Sequence, residues 1–162
     1  MQYFDPQINK NYVPYVIETS AGADRLFFML LCNAYREETV GEGDNVKNRT
    51  YLKFHPALAP VKAAILPLVK KDGLPEIGQN IFDDLKYDFN IIYEDAQSIG
   101  KRYTRQDLIG TPFCIAIDHQ TKEDGTVTIR QRDTMQQERI KIEQLGSRIT
   151  SEVSLKKIFT AL

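Results

Sequence analysis

The sequence predicts an α/β fold. A mixed, mostly parallel five-stranded sheet flanked by helices is expected over residues 57–162, preceded by a strand and a helix in residues 1–50. Three observations carry this reading. Residues 113–117 (FCIAI) are apolar on both faces, as a central strand covered on both sides must be. From residue 57 onward, strand-like and helix-like apolar periods alternate. The composition, 42% hydrophobic and 27% charged, is that of a globular domain and excludes disordered, collagenous and coiled-coil chains. With 162 residues the chain has room for one domain and a small appendage, and it should bury roughly 70% of its unfolded surface.

Taken in order, residues 12–18 (YVPYVIE) are rich in aromatic and β-branched residues and read as a strand. A turn over 19–23 follows, with Asp24 as the expected N-cap. Leu26, Met29, Leu30, Asn33 and Ala34 then recur at i, i+3, i+4, i+7 and i+8, predicting a helix over 25–38 with one apolar face. Residues 39–56 are polar, contain Gly41 and Gly43, and read as a loop leading to a linker that ends near Pro56. Residues 61–66 read as an apolar strand, and Pro75 opens a helix with Ile77, Ile81, Phe82 and Leu85 on one face. A short strand over 90–93 and a helix over 98–108 precede the central strand at 113–117. Residues 126–132 alternate, with Val127 and Ile129 inward and Thr128 and Arg130 outward. Ile140 and Ile142 point inward in 139–142. The two segments form a hairpin across 133–136 in preference to a helix over 135–145, because the period is nearer two than 3.6. Leu155, Ile158, Phe159 and Leu162 predict a terminal helix capped by Ser154. One strand and one apolar helix cannot make a core of their own, so the N-terminal unit is expected to pack on the α/β domain or to pair with a second copy.

The 21 basic and 22 acidic residues give a net charge of −1, so any nucleic-acid role must rest on a local patch. Cys32 and Cys114 lie far apart in apolar contexts and read as buried, reduced thiols of a cytoplasmic protein. With His55 and His119 isolated as well, no zinc site is expected. The longest apolar run, 26–32, is far too short for a membrane span, and the N-terminus lacks signal-peptide character.

Three segments could carry chemistry. In Glu18-Thr19-Ser20-Ala21-Gly22-Ala23-Asp24-Arg25 a carboxylate ends a strand, a glycine allows a turn and an arginine opens a helix. That places Glu18 to meet an ammonium and Arg25 a phosphate or base, although a turn with a surface arginine is commonplace. Around Gly100, the cations Lys101, Arg102 and Arg105 surround Tyr103. Cations neutralise phosphates and a tyrosine stacks on a splayed base; a solvated basic helix face has the same pattern. At the proposed hairpin tip, Arg130, Arg132 and Asp133 could read base edges or form a surface ion pair. No phosphate loop, dinucleotide fingerprint or nucleophile motif is present in the sequence.

Together the segments resemble the dimeric type of glycyl-tRNA synthetases, a class II aminoacyl-tRNA synthetase family. Val16-Ile17-Glu18-Thr19-Ser20-Ala21-Gly22-Ala23-Asp24-Arg25 is similar to motif 3 of that class. Leu58-Ala59-Pro60, the run from Ser98 through Gly100-Lys101-Arg102-Tyr103 to Gly110, and Arg130-Gln131-Arg132-Asp133-Thr134-Met135 resemble its anticodon-binding domain. Four motifs in the same order over about 120 residues make the resemblance specific.

The resemblance implies ATP binding by Arg25 and Gly22 and glycine binding by Glu18 and Ser20, with Glu18 toward the amino group. It implies tRNA anticodon recognition by Arg130, Arg132 and Asp133. Lys101, Arg102 and Arg105 would serve the RNA backbone or hold the domain against its neighbour. Thr19 stands where many members have proline. The resemblance further implies a class II anticodon-binding-domain fold over 57–162 and a catalytic-domain remnant over 1–50. The parent is expected to be a homodimer that uses glycine, ATP with Mg²⁺ and tRNA(Gly). Nothing in the sequence matches motifs 1 and 2 of the class, so the chain is expected to be a C-terminal fragment, inactive alone and free of bound cofactor. No membrane or DNA partner is expected. Two rivals stand beside this reading: a non-enzymatic RNA-binding or dimerisation module related to the synthetases, and a free-standing nucleotide-binding protein.

Overall fold

A computed structural model describes residues 2–41 and 46–160, apart from the side chain of Lys157. Gly43 and Leu162, used above for a loop and a helix, lie outside the described residues.

The chain opens with a small antiparallel hairpin, β1 (Tyr3–Asp5) and β2 (Lys10–Tyr12), closed by an edge-to-face contact of Tyr3 on Tyr12 at 5.7 Å. The strand expected over 12–18 is not formed. Of its residues only Tyr12 pairs, and residues 13–22 run exposed with no ladder. No described strand pairs with these residues, and Pro14 lacks the N–H that a ladder uses.

Helix α1 (Ala23–Ala34) is capped by Gly22 rather than Asp24. Asp24 sits in its first turn, where a carboxylate meets the positive end of the helix dipole. The helix stops a turn earlier than expected because Tyr35–Val40 leaves it as strand β3. β3 pairs antiparallel along its whole length with β4 (Lys47–Leu52). The stretch read as a loop and linker is therefore largely a hairpin. Its polar composition misled because one side of the hairpin faces solvent and the other meets polar side chains of the sheet domain.

The main sheet has the order β6-β5-β7-β8-β9. Its strands are β5 (Ala63–Pro67), β6 (Ile91–Tyr93), β7 (Phe113–Ile117), β8 (Thr126–Gln131) and β9 (Gln137–Lys141). β5 runs parallel to β6 and β7; β7–β8 and β8–β9 are antiparallel. The sheet is mixed as expected, with pairings evenly divided rather than mostly parallel. The hairpin reading of 126–142 holds. Helix α4 (His119–Asp124), with its Asp118 capping box, and helix α5 (Leu145–Val153) were not legible by period, the first being too short to show one. A short α6 (Leu155–Phe159) ends the described chain.

Alternation along the strands splits the core in two. Ala63, Ile65, Ile115, Ile117, Val127 and Ile129 face α2 (Leu74–Leu85) and α5, and make the large cluster with Leu74, Ile81, Leu145 and Ile149. Ala64, Leu66 and Cys114 face the other way, onto Ile99 and Tyr103 of α3 (Ile99–Ile109). Burial pushes the Cys114 thiol up to about 12, while Cys32 is exposed, contrary to expectation; both are free. Helix α3 is covered in turn by the β3–β4 hairpin, so the layers run α2 and α5, sheet, α3, hairpin. The last turn of α1 rests on this stack: Ala34 is buried, and the Lys53 amide donates to its carbonyl at 2.6 Å. Leu26, Phe27, Phe28 and Met29 remain exposed.

Two glycines permit close approaches. Gly78 brings α2 onto the sheet, where a Cβ would stand 2.9 Å from Pro67 Cγ. Gly110 ends α3 at φ +82°, and a Cβ there would stand 2.6 Å from Phe54 Cδ2. We expect Gly110→Ala to lower stability by about 2–3 kcal/mol, through overpacking and a left-handed backbone. An unchanged midpoint in chemical unfolding would contradict the packing of Phe54 against the end of α3.

Candidate nucleic-acid interface

Helix α3 presents Ile99, Arg102, Tyr103 and Gln106 to the sheet and Lys101 and Leu108 to the outside, by the 3.6-residue period. Its centre is the Asp107 carboxylate. Arg130 of β8 donates to it in bidentate fashion, Nη1 to Oδ1 at 2.9 Å and Nη2 to Oδ2 at 3.0 Å. Arg49 of β4 adds Nε to Oδ2 at 3.0 Å and reaches Glu38 Oε1 at 2.6 Å through Nη1. Its Nη2 donates to the carbonyl of Arg132. Arg130 also lies over the Tyr103 ring, 4.9 Å from its centroid, and Arg49 over Tyr51 at 4.2 Å. One carboxylate thus joins the hairpin to α3 and β8, the two elements that bear the second and third candidate segments.

The structure changes the reading of most predicted anticodon residues. Arg130 is 6% exposed, not outward, because its face of the sheet is covered by α3. Arg132, at 1%, spends its guanidinium on Gly110 O and Phe54 O, both at 2.6 Å, and on Asp133 Oδ1 at 2.7 Å. Arg102, also at 1%, donates to Pro67 O at 2.7 Å, Glu94 O at 3.0 Å and Leu68 O at 3.3 Å. It closes the C-terminal ends of β5 and β6, and burial lowers its pKa. Buried this deeply, the three guanidiniums brace the fold, and Arg102 Nε is buried without a hydrogen-bond partner among the described residues. Arg105 is half-exposed and tied to Gln97, Ala96 and Glu94. Lys101 is exposed, with no hydrogen bond or ion pair among the described residues, and Asp133 is exposed beside Arg132.

The motif 3-like residues are not assembled. Glu18, Ser20, Gly22 and Arg25 are exposed, and no hydrogen bond or ion pair links them. Gly22 has φ −75° and ample room for a side chain, so the turn does not need glycine here. Among the described residues no group of three or more His, Cys, Asp or Glu could hold a metal ion. Among the described residues no helix is long and apolar enough to cross a membrane.

Sequence reasoning missed Arg49, Tyr51 and Asn48, whose segment read as a linker. The signal that could have found them is the alternation Arg49-Thr50-Tyr51-Leu52. It missed Arg139 too, which grips Asp118 through Nη1 at 2.7 Å and Nη2 at 2.9 Å. That pairing holds the Asp118 carboxyl down at about 2.

The five-stranded mixed sheet flanked by helices is the fold of an anticodon-binding domain. A solved RNA-binding domain of threonyl-tRNA synthetase from Cryptosporidium parvum aligns with 62% of the chain and 25% of its own, at a TM-score of 0.56 and 24% identity. The chain belongs to the anticodon binding domain family, whose model matches residues 62–152. Its sequence is also similar to glycine–tRNA ligases. It is 50% identical to that of Treponema denticola over 155 residues, 94% of the chain and 34% of the relative. It is 56% identical to that of Ruminiclostridium cellulolyticum over 147 residues, 91% of the chain and 31% of the relative. The chain spans about a third of the length of the curated relatives it matches.

Two predictions concern these ion pairs. Asp107→Asn leaves the buried Arg130 guanidinium without its counter-charge and Arg49 with Glu38 alone, and should lower stability by about 3–5 kcal/mol, whereas Arg105→Ala, at a half-exposed pair, should cost less than about 1 kcal/mol. Equal unfolding midpoints for the two variants would contradict this ranking. The second concerns acid. Asp118 titrates lower folded than unfolded, so its pairing with Arg139 stabilises fully above the ordinary carboxylate pKa, about 4, and is lost as pH falls toward 2. Asp118→Asn should therefore flatten the loss of stability over that window, as followed by thermal unfolding at stepped pH.

Proposed function

We propose that this chain binds the anticodon arm of a glycine-accepting tRNA, as part of a glycine–tRNA ligase. The observation that carries the proposal is identity of about half the residues with glycine–tRNA ligases, over a stretch that includes the anticodon-binding match. In that role the exposed Lys101 and Asp133, with Arg105, meet the RNA, while Arg102, Arg130 and Arg132 hold the elements that present them. The whole enzyme, a cytoplasmic homodimer, activates glycine with ATP and Mg²⁺ and passes it to tRNA(Gly). Adenylate formation relies on positioning and charge stabilisation rather than a protein nucleophile. Glu18 and Ser20 would face the glycine, and Arg25, with Gly22 at its turn, the ATP. Since these residues stand exposed and unlinked here, we propose that this chain alone neither binds ATP tightly nor charges tRNA.

The test is binding of tRNA(Gly) at stated low salt against the same tRNA substituted at the second and third anticodon positions. A preference for the glycine anticodon supports the proposal; equal binding to both leaves a backbone-binding module, and no binding overturns it. Lys101→Ala should weaken binding to both tRNAs alike and reduce the salt slope of log K by about 1, the signature of a lost phosphate contact.

A further inference from the structure

Between the hairpin and α3 lies an open groove of about 470 Å³, within the size range of small-ligand sites. Its floor is the Arg49–Asp107–Arg130 network, in which Glu38 beside Arg49 supplies the second carboxylate and balances the two guanidiniums. Val40, Leu108 and Met135 make the walls apolar. Met135 reaches the groove from the β8–β9 turn in a left-handed conformation, φ 56°, unusual outside glycine and asparagine. The polar groups on the lining are left over. The Tyr103 hydroxyl, the Thr50 hydroxyl, the Asn48 amide nitrogen and the Lys47 ammonium make no hydrogen bond or ion pair among the described residues. Yet Tyr103 is buried enough that its pKa is raised. Its ring is half-buried while its hydroxyl opens into the groove.

We propose that this groove receives one unstacked nucleotide of a single-stranded RNA loop. The base lies between the apolar walls and is met by Tyr103, Thr50 and Asn48, while its phosphate is met by Lys47. Single-stranded RNA is recognised by this combination of aromatic and apolar walls, edge-directed polar groups and a cation for the backbone. The inference rests on the RNA-binding reading above and adds to it. Lys47, Asn48 and Thr50 lie outside the matched residues 62–152, so the site is composite and requires the hairpin.

The test uses the whole chain and a short stem-loop RNA carrying the glycine anticodon loop, at one fixed low ionic strength. Thr104→Trp fills the groove from the exposed side of α3, and Lys47→Glu reverses charge at its mouth. Lys86→Glu, on the far layer, is the control. We expect each groove variant to weaken binding about tenfold and the control to leave it unchanged, with thermal unfolding unaltered in all three. Because the chain has no tryptophan, Trp in the Thr104→Trp variant also reports bound bases by quenching. In the unaltered chain, RNA should slow amide exchange over 47–50 and 100–104. Full-affinity binding by both groove variants, with no protection there, would overturn the groove and leave the RNA-binding reading standing. No binding by the unaltered chain would overturn both.

Discussion

The arrangement of this chain depends on a single buried carboxylate. Asp107 is the meeting point of Arg130 from the sheet and Arg49 from the hairpin, and neither guanidinium has another carboxylate as close except Glu38 on Arg49. Burying charges is costly, and the cost is offset only when geometry and hydrogen bonding are nearly complete. Here the bidentate pairing, the second arginine and the aromatic faces of Tyr103 and Tyr51 supply that completion. The consequence is specificity of placement. The hairpin cannot slide along α3 without stranding a charge, so the groove between them keeps its shape.

The same economy appears in how other buried cations are used. Arg102 and Arg132 spend their donors chiefly on main-chain carbonyls, and Lys62 Nζ donates to the carbonyls of Pro56, Ala57 and Ala59. These are acceptors that loops leave without a ladder partner. Arg102 joins the ends of two parallel strands, Lys62 closes the turn into the first strand, and Arg132 ties that turn's approach, at Phe54, to the end of α3. In open α/β sheets the carboxyl ends of the strands form the ligand crevice. Here Arg102 fills it, and the open groove lies instead on the hairpin side of α3.

The sheet domain was largely legible because its strands alternate and its helices keep a 3.6-residue period around a large core, as with 113–117 and the face of Ile77, Ile81 and Leu85. The hairpin β3–β4 was not. Its residues meet polar partners far away in sequence, and no apolar stripe marks them. The N-terminal strand failed for the opposite reason. Residues 13–17 have the composition of a strand, but no described strand pairs with them. Of the candidate segments, the second lies on helix α3 and the third at the end of β8, as their periods predict, but Arg130, read as outward, is buried, and so are Arg102 and Arg132.

By itself, the sequence determined the fold class, the order of the sheet domain's five strands with helices α2 and α3, and the motifs that place the chain among anticodon-binding domains. These follow from local periodicity and from residue order. Only the tertiary structure decided which arginines are free to meet a ligand. A guanidinium on a strand face reads the same whether solvent or a helix lies above it. Its role depends on whether a carboxylate such as Asp107, 23 positions away, is brought within 3 Å.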